Sequence, residues 1–165
     1  MLNWLRKKKI VQTGWSAGAY LTKDRIVVHS MSRTRNNVGW YNQPVFVVPN
    51  QASNDLLGER LREALAASTW DSLDDDSTDK NHPILREAGA VTWRDLEEQS
   101  KFVCIETDRH VVKVVPSRWA TKAEGGRGFI HLHDIRIETD WNGSDADLGL
   151  ALRRGFQASQ NKAER

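Results

Sequence analysis

One sixteen-residue segment occurs twice in this chain, and the two copies lie 91 residues apart. The first copy is SNDLLGERLREALAAS at 53–68, and the second is SDADLGLALRRGFQAS at 144–159. Seven of the sixteen positions are identical. A repeat of this length predicts that both copies adopt the same local structure, so we expect a fold with two related halves.

Both copies have the pattern of an amphipathic helix. Their apolar residues recur every three or four positions, which places them on one helical face; they are Leu57, Leu61 and Leu65, then Leu148, Leu152 and Phe156. The serine that begins each copy can accept a hydrogen bond from a first-turn amide and so cap the helix. The spacing predicts helices over about 54–67 and 145–158, with Ser53 and Ser144 as their N-caps.

A glycine stands at the same place in both copies, at Gly58 and Gly149. Glycine inside a helix costs about 1 kcal/mol relative to alanine. Its recurrence therefore indicates that another backbone packs closely there. Phosphate binding is the alternative, but neither segment contains a glycine-rich loop.

Strand-like runs precede each helix. The candidates before the first are 9–13, 19–22, 25–31, 38–41 and 44–49, and those before the second are 101–106, 110–115 and 131–139. The pair 101–106 and 110–115 flanks a short turn and predicts a hairpin, and Thr92 predicts the N-cap of a short helix. We predict an α+β fold: a single domain, 1–165, of two similar strand-then-helix halves around a largely antiparallel sheet. The halves are about 9–68 and 92–159, and 69–83 is an exposed linker.

Composition restricts the class of protein. A length of 165 residues suits one compact domain, and the single cysteine, Cys104, allows no internal disulfide and fits a reducing compartment. The basic N-terminus lacks the apolar run of a secretory signal, and no stretch is apolar enough for a membrane span. We therefore expect a cytoplasmic protein that does not bind membranes.

The order of motifs resembles that of a known family. A strand and the first helix copy are followed by a variable linker, then VTWRDLEEQSKFVCIETDRHVVKVVPSRW, then GRGFIHL, then the second copy. This arrangement, from about Lys9 to Ser159, resembles the bacterial immunity proteins of contact-dependent growth inhibition systems. In particular, it resembles the group with a duplicated Ser-Asp-x-x-Leu-Gly helix.

The resemblance implies a function that the residue pattern alone does not show. Such immunity proteins stay in the cytoplasm and bind the C-terminal toxin domain of a large exported effector, in many cases a nuclease. The expected function is therefore neutralisation of a toxin by binding, without enzymatic activity and without a cofactor. The duplicated leucines and glycines are then fold determinants rather than contacts with the toxin.

Acidic and aromatic residues are the candidates for the partner-binding surface. A nuclease must attract phosphates, so its active cleft is basic, and carboxylates presented to it increase the association rate and the specificity. Tryptophan and tyrosine are enriched at interface hot spots. The predicted partner-binding residues are Trp70, Asp71, Asp74, Asp75, Asp76 and Asp79 in the linker, with Trp40 and Tyr41.

Other chemistries receive less support from the sequence. His131 and His133 would share one face of a strand and could bind zinc with a distant third ligand, but a pair of ordinary strand histidines is the simpler interpretation. Cys104, in an alternating strand, is typical of a small buried side chain rather than a nucleophile. The acidic run lacks the central glycine and final glutamate of a common calcium loop. We therefore predict no metal site and no catalytic residue.

A nucleic-acid-binding or accessory protein is the alternative function. Basic residues beside tryptophans can form such a surface; the candidates are Lys7 to Lys9, Arg33, Arg35, Arg118, Lys122 and Arg127. They are scattered over several loops, and the net charge is only +2, from 24 basic and 22 acidic residues. Bulk nucleic-acid binding is therefore not favoured.

Overall fold

The structure is a computed structural model, and it describes residues 12–33, 39–70 and 82–164. Its strands are β1 Trp15–Leu21, β2 Arg25–Arg33, β3 Gly39–Pro49, β4 Lys101–Thr107, β5 Val111–Trp119, β6 Phe129–His131 and β7 Ile137–Asp140. Its helices are α1 Asn54–Ala66, α2 Pro83–Ala88, α3 Trp93–Gln99 and α4 Asp145–Ala158, and three short 3-10 turns occupy Lys122–Glu124, His133–Ile135 and Lys162–Glu164.

The seven strands form one sheet. Its order is β3-β2-β1-β4-β5-β6, and β7 also pairs with β5. Each of these strand pairs is antiparallel. The prediction of an α+β fold around a largely antiparallel sheet is confirmed.

The two halves of the chain meet at the centre of the sheet. β4 and β5 begin 86 residues after β1 and β2, and they pair in the same register: Ala17 lies opposite Ser30, and Val103 lies opposite Pro116. β1 and β4 join the halves, with Gly18 opposite Cys104. Since Cys104 is the equivalent of Gly18 at this offset, the central strands are related by an approximate two-fold axis.

The outer strand is continuous in the first half and divided in the second. β3 stays a single strand despite a bulge, in which Gln43 and Pro44 are unpaired between Asn42, opposite Ser30, and Val45, opposite His29. The equivalent segment of the second half forms β6, a 3-10 turn and β7. The prediction of one strand over 131–139 is therefore wrong. The cause is Pro116 of β5. Its carbonyl accepts a hydrogen bond from the Leu132 amide at 2.8 Å, but proline has no N–H to donate in the other direction, so the hydrogen-bond ladder ends there.

Strand boundaries differ elsewhere from those predicted. Residues 9–11 and 38 lie outside the described residues, and Gln12 and Thr13 precede β1 rather than forming a strand. The predicted strands 38–41 and 44–49 are one strand, β3. The predicted hairpin is confirmed as β4 and β5, and Arg109 in its turn has a positive φ of 67°.

The helices α1 and α4 pack side by side on one face of the sheet. Together with alternate residues of the strands they form the larger core, in which Leu57, Leu61, Leu148 and Leu152 are fully buried. Ser53 and Ser144 accept from the amides of Leu56 and Asp147, at 3.2 and 3.1 Å. The predicted helices and their N-caps are confirmed.

The paired glycines are the points where α1 and α4 touch. A Cβ added to Gly58 would overlap the Asp145 carbonyl at the start of α4, and one added to Gly149 would overlap the Asn54 carbonyl at the start of α1. Asn54 and Asp145 are themselves equivalent positions of the repeat. The glycine of each helix therefore leaves the space into which the first turn of the other helix packs.

An arginine of α1 binds the turn that leads into α4. Arg62 forms an ion pair with Asp145 at 2.8 Å through Nε. Its two terminal nitrogens donate to the carbonyls of Trp141 and Gly143 at 2.6 and 3.0 Å. The guanidinium also lies over the Trp141 ring, 5.0 Å from its centroid.

The equivalent arginine of α4 holds the entrance to α1 by the same contacts. Arg153, which is 91 residues after Arg62, donates from Nε to the Asn54 side chain at 2.8 Å. Its terminal nitrogens donate to the carbonyls of Asn50, at 2.9 Å, and Ala52. Each partner of Arg153 is the repeat equivalent of a partner of Arg62, so the two-fold relation extends to individual hydrogen bonds.

The opposite face of the sheet carries the short helices α2 and α3. They contribute Ile84, Leu85 and Leu96 to a smaller core with Tyr20, Val27 and Phe102. α3 begins at the predicted cap, where Thr92 and Asp95 form a reciprocal capping box. α2 is absent from the sequence prediction, which placed its first residue, Pro83, in the linker.

Replacement of either crossing glycine by alanine is expected to destabilise the protein. In an ordinary helix, replacing glycine by alanine stabilises the protein. Here the new methyl group would clash with the backbone of the other helix, and the clash can be relieved only by moving the two helices apart. We expect Gly58→Ala and Gly149→Ala each to lower the free energy of unfolding by about 2 kcal/mol or more. Denaturant titration measures this. The control Glu59→Ala, at the exposed neighbouring position, is expected to stay within about 0.5 kcal/mol of the parent.

Removal of a core leucine from either repeat helix is also expected to destabilise. Leu61→Ala and Leu152→Ala each empty a fully buried site, so we expect losses of about 2–5 kcal/mol in the free energy of unfolding. Leu150→Ala is the control, since Leu150 is 39% exposed. Losses below about 1 kcal/mol for both buried sites would show that these leucines do not support the core.

Candidate functional site

A cavity of about 310 Å³ lies on the face of the sheet that α2 and α3 cover only in part. We call it the aromatic cavity. Residues of four strands and of both short helices with the N-cap of α2 line it: Tyr20, His29, Met31, Trp40, Tyr41, His82, Ile84, Trp93, Glu97 and Phe102. Predominantly apolar walls with a few polar groups are typical of a binding site.

The residues at the start of α2 form one wall of the aromatic cavity. His82 is the N-cap, and its Nδ1 accepts from the Ile84 amide at 3.3 Å. Pro83 suits the first helical position, where no amide partner is needed. The capped His82 ring lies between Tyr41 and Trp93, with centroid distances of 3.8 and 4.5 Å.

His29 forms the floor of the aromatic cavity, and one of its nitrogens has no partner. The residue is 3% exposed, and its Nδ1 lies 3.0 Å from the Ser30 carbonyl. A carbonyl can only accept, so Nδ1 carries the proton and Nε2 keeps a lone pair. Nε2 is buried without a hydrogen-bond partner.

Burial disfavours charge throughout the aromatic cavity. It lowers the pKa of His29 to about 4, helped by nearby His82 and opposed by the Ser30 carbonyl. Burial also raises the pKa of Glu97. It raises the pKa of Tyr20 as well, and the nearby Glu97 carboxylate raises that pKa further. At neutral pH the His29 imidazole is therefore neutral and serves as a hydrogen-bond acceptor.

A second, smaller pocket of about 180 Å³ surrounds Trp70. The Trp70 indole donates to the Gly14 carbonyl at 3.1 Å. Arg33 lies over the ring, 5.5 Å from its centroid, and forms a parallel bridge with Trp70. A second arginine–tryptophan pair lies nearby: the Arg109 guanidinium is 3.9 Å from the centroid of Trp15, which also lines this pocket.

The structure separates the sequence-predicted partner-binding residues into two places. Trp40 and Tyr41 line the aromatic cavity, whereas Trp70 lines the smaller pocket. Asp71, Asp74, Asp75, Asp76 and Asp79 lie outside the described residues. In the sequence this run lies between Trp70, which lines the smaller pocket, and His82, which lines the aromatic cavity.

The other sequence candidates are placed as follows. His131 ends β6 and His133 begins a 3-10 turn, so they do not share a strand face as predicted; their rings are 6.2 Å apart. Cys104 is half-buried, and burial raises its pKa to about 12, which keeps the thiol protonated. Within 12–33, 39–70 and 82–164, no three His, Cys, Asp or Glu side chains are grouped as a metal site requires.

Sequence reasoning missed the residues at the centre of the aromatic cavity. Tyr20, His29 and His82 come from β1, β2 and α2, and no local pattern connects them. The dipeptide His82-Pro83 before two apolar residues was the one available signal, because a polar cap followed by proline is typical of a helix start.

Comparisons with known proteins place the chain beside immunity proteins. Residues 15–159 match the family model CdiI, described as CDI immunity protein. No curated protein matches. The fold is similar to that of a CdiA-CT/CdiI toxin and immunity complex from Yersinia pseudotuberculosis, with a TM-score of 0.70, 17% identity, and coverage of 92% of this chain and 99% of that chain.

A second solved structure is similar to the same degree. It is a protein of unknown function from Neisseria meningitidis, with a TM-score of 0.69, 17% identity and the same coverage of both chains. At this identity the likeness concerns the fold. None of the helices in the described ranges has the length and apolar character needed to cross a bilayer.

Buried His29 is expected to make stability depend on pH in a mildly acidic window. Its folded pKa, about 4, lies below the ordinary value of 6.5, so as pH falls through this interval the unfolded chain takes up a proton and the folded protein does not. Stability is therefore lost as pH falls from 6.5 to 4, by roughly 3 kcal/mol in total. Denaturant titrations at intervals across this window measure the loss.

A matched pair of variants assigns this pH dependence. His29→Gln is expected to flatten most of the slope. His131→Asn is expected to remove only a smaller part, because His131 is exposed at the end of β6 and its charged form remains in contact with water. An unchanged slope in His29→Gln would show that other groups are responsible.

Proposed function

We propose that this chain, which belongs to the CDI immunity protein family, binds the C-terminal toxin domain of a contact-dependent growth inhibition effector and neutralises it. The observation that carries the proposal is the family match over 15–159. This range includes both repeat helices and every strand of the sheet. The match therefore covers the whole sheet and all four α-helices, and not a single motif.

Binding, rather than catalysis, is the proposed means of action. The side chains most suited to catalysis have structural roles or unreactive forms. His82 caps α2, and the Cys104 thiol stays protonated. His29 is neutral and enclosed by aromatic rings. These environments support a role in shaping a surface rather than in transferring protons or attacking a substrate.

The partner we propose is a basic nuclease domain. The acidic residues Asp71, Asp74, Asp75, Asp76 and Asp79 would face its phosphate-binding cleft and accelerate encounter through charge. Two aromatic groups flank this run in the described chain: Trp70 at one end, and the aromatic cavity with Trp40 and Tyr41 near the other. Aromatic side chains that are fixed in place can supply the contact energy that steering charges lack.

The cytoplasm is the proposed compartment. A nuclease toxin acts on nucleic acid inside the cell that it enters, so its inhibitor must meet it there. The single cysteine, held as a thiol, is consistent with a reducing environment.

The nucleic-acid-binding alternative is less well supported by the described residues. Arg118 is engaged by Glu124 through two contacts of 2.6 and 2.8 Å, and Arg33 is stacked on Trp70. Both cations therefore face a neighbouring group of this chain. A salt-dependent gel shift with RNA or DNA separates the alternative from toxin binding.

Neutralisation of the acidic run is expected to slow association with the toxin. The triple variant Asp74→Asn, Asp75→Asn, Asp76→Asn should lower the association rate and weaken its salt dependence, because charges at the rim of an interface act mainly through steering. The measurement is binding kinetics at low and moderate salt against the toxin domain encoded next to this gene. The free energy of unfolding should remain unchanged.

A second triple variant with the same charge change is the control. Asp55→Asn, Glu59→Gln and Glu63→Gln lie on α1, on the opposite side of the sheet from α2 and α3, and should leave the association rate unchanged. Equal effects of the two triples would show that net charge alone acts. Failure of the unmodified protein to bind that toxin would contradict the proposed function itself.

A further inference from the structure

The aromatic cavity contains one carboxylate, and no cation of the described chain pairs with it. Glu97 on α3 is the only acidic side chain among the described residues that line the cavity, and these include no lysine or arginine. The residue is half-buried, and burial raises the pKa of its carboxyl group. A half-buried carboxylate without a partner has lost part of its contact with water and gained no other contact in return.

The next glutamate of the same helix shows the contrast. Glu98 forms ion pairs with Arg94 at 2.9 Å and with Lys162 at 2.7 Å. Lys162 and Arg94 lower the pKa of the Glu98 carboxyl group, whereas for Glu97 the cause of the pKa shift is burial. The protein therefore supplies cations to the glutamate outside the cavity and none, within the described ranges, to the glutamate that lines it.

The aromatic side chains of the cavity suit a cation that pairs with Glu97. Trp93 lies four residues before Glu97, so the two are neighbours on one face of α3, and both line the cavity. Trp40 and Tyr41 of β3 also line it and are half-buried, so the protein does not cover them completely. The faces of tryptophan and tyrosine rings attract cations, and the attraction grows when water is excluded.

We propose that the aromatic cavity receives an arginine side chain of the toxin, whose guanidinium pairs with the Glu97 carboxylate among the aromatic rings. This inference rests on the proposed function, because a nuclease that must attract phosphates presents basic side chains. Arginine suits the site better than lysine, since its planar guanidinium forms two hydrogen bonds to a carboxylate and stacks on aromatic rings. The cavity volume of about 310 Å³ lies at the lower end of the roughly 300–1,000 Å³ of small-ligand sites.

The Glu97 charge acts on a different step of binding from the acidic run of the linker. Charges at the rim of an interface act mainly on the association rate, whereas a charge pair that is enclosed when the complex forms acts mainly on the dissociation rate. Removal of the Glu97 charge would leave the toxin arginine enclosed without its partner. The complex would then form at nearly the same rate and dissociate faster.

The first test measures binding kinetics of the full-length chain against the toxin domain encoded next to this gene. Glu97→Gln keeps the size of the side chain and removes its charge. We expect it to raise the dissociation rate roughly tenfold or more and to keep the association rate within about twofold of the parent. Denaturant titration of the variant checks that the fold is retained.

Glu98→Gln is the matched control. It makes the same charge change on the same helix, at a residue that does not line the cavity. Ion pairs exposed to solvent contribute little to stability. We therefore expect Glu98→Gln to keep both rates within about twofold of the parent, since only a charge enclosed by the toxin affects dissociation.

A double-mutant cycle identifies the partner of Glu97. Each arginine of the toxin domain is replaced in turn by glutamine and measured against the parent and against Glu97→Gln. One replacement should weaken binding to the parent roughly tenfold or more and hardly change binding to Glu97→Gln, because the pair is already broken there. If Glu97→Gln does not fold, Trp40→Leu takes its place, since the same arginine should couple to the Trp40 ring.

The outcomes separate this inference from the function on which it rests. Two results would contradict the inference and leave toxin binding intact. One is equal dissociation of the toxin from Glu97→Gln and Glu98→Gln, and the other is a cycle in which no toxin arginine couples to the cavity. Failure of the unmodified protein to bind the toxin would contradict the proposed function, and this inference with it.

Discussion

The contact between the first turns of α1 and α4 is the constraint on which the rest of the structure depends. At Gly58 and Gly149 each helix admits the backbone of the other, and at Arg62 and Arg153 each reaches back to the turn that leads into its partner. The positions of both helices are therefore fixed by main-chain contacts rather than by interchangeable side chains. This contact sets where the two halves of the sheet join, with β1 against β4.

The same contact leaves the two faces of the sheet unequal. The face beneath α1 and α4 is filled by the larger core, including Ile26, Ile105 and Val114. Within the described ranges, the helices on the other face are α2 and α3, of six and seven residues. They leave the aromatic cavity open beside His82 and Trp93. Binding functions are most readily placed on such a face, because its residues can vary without disturbing the main core.

The sequence predicted the fold where local patterns and the repeat agreed. The helices, their serine caps and the β4–β5 hairpin followed from periodicity and turn chemistry, and the glycines correctly indicated close backbone packing. The prediction failed at 131–139, where the alternation of residues is compatible with a strand but the partner strand presents Pro116. Residues such as His29 and His82 could not be associated in advance, because they are separated in the chain and no period relates them.

What the sequence determined by itself is the architecture: two strand-then-helix halves, and close backbone packing at two equivalent glycines. These features are local or repeated, so a single chain reveals them. The tertiary structure decided which side chains meet. It placed Trp70 apart from Trp40 and Tyr41, and it enclosed an unpaired nitrogen of His29 among rings drawn from different elements. Such groupings depend on how the strands and short helices pack, because burial and hydrogen-bond satisfaction are properties of the assembled fold.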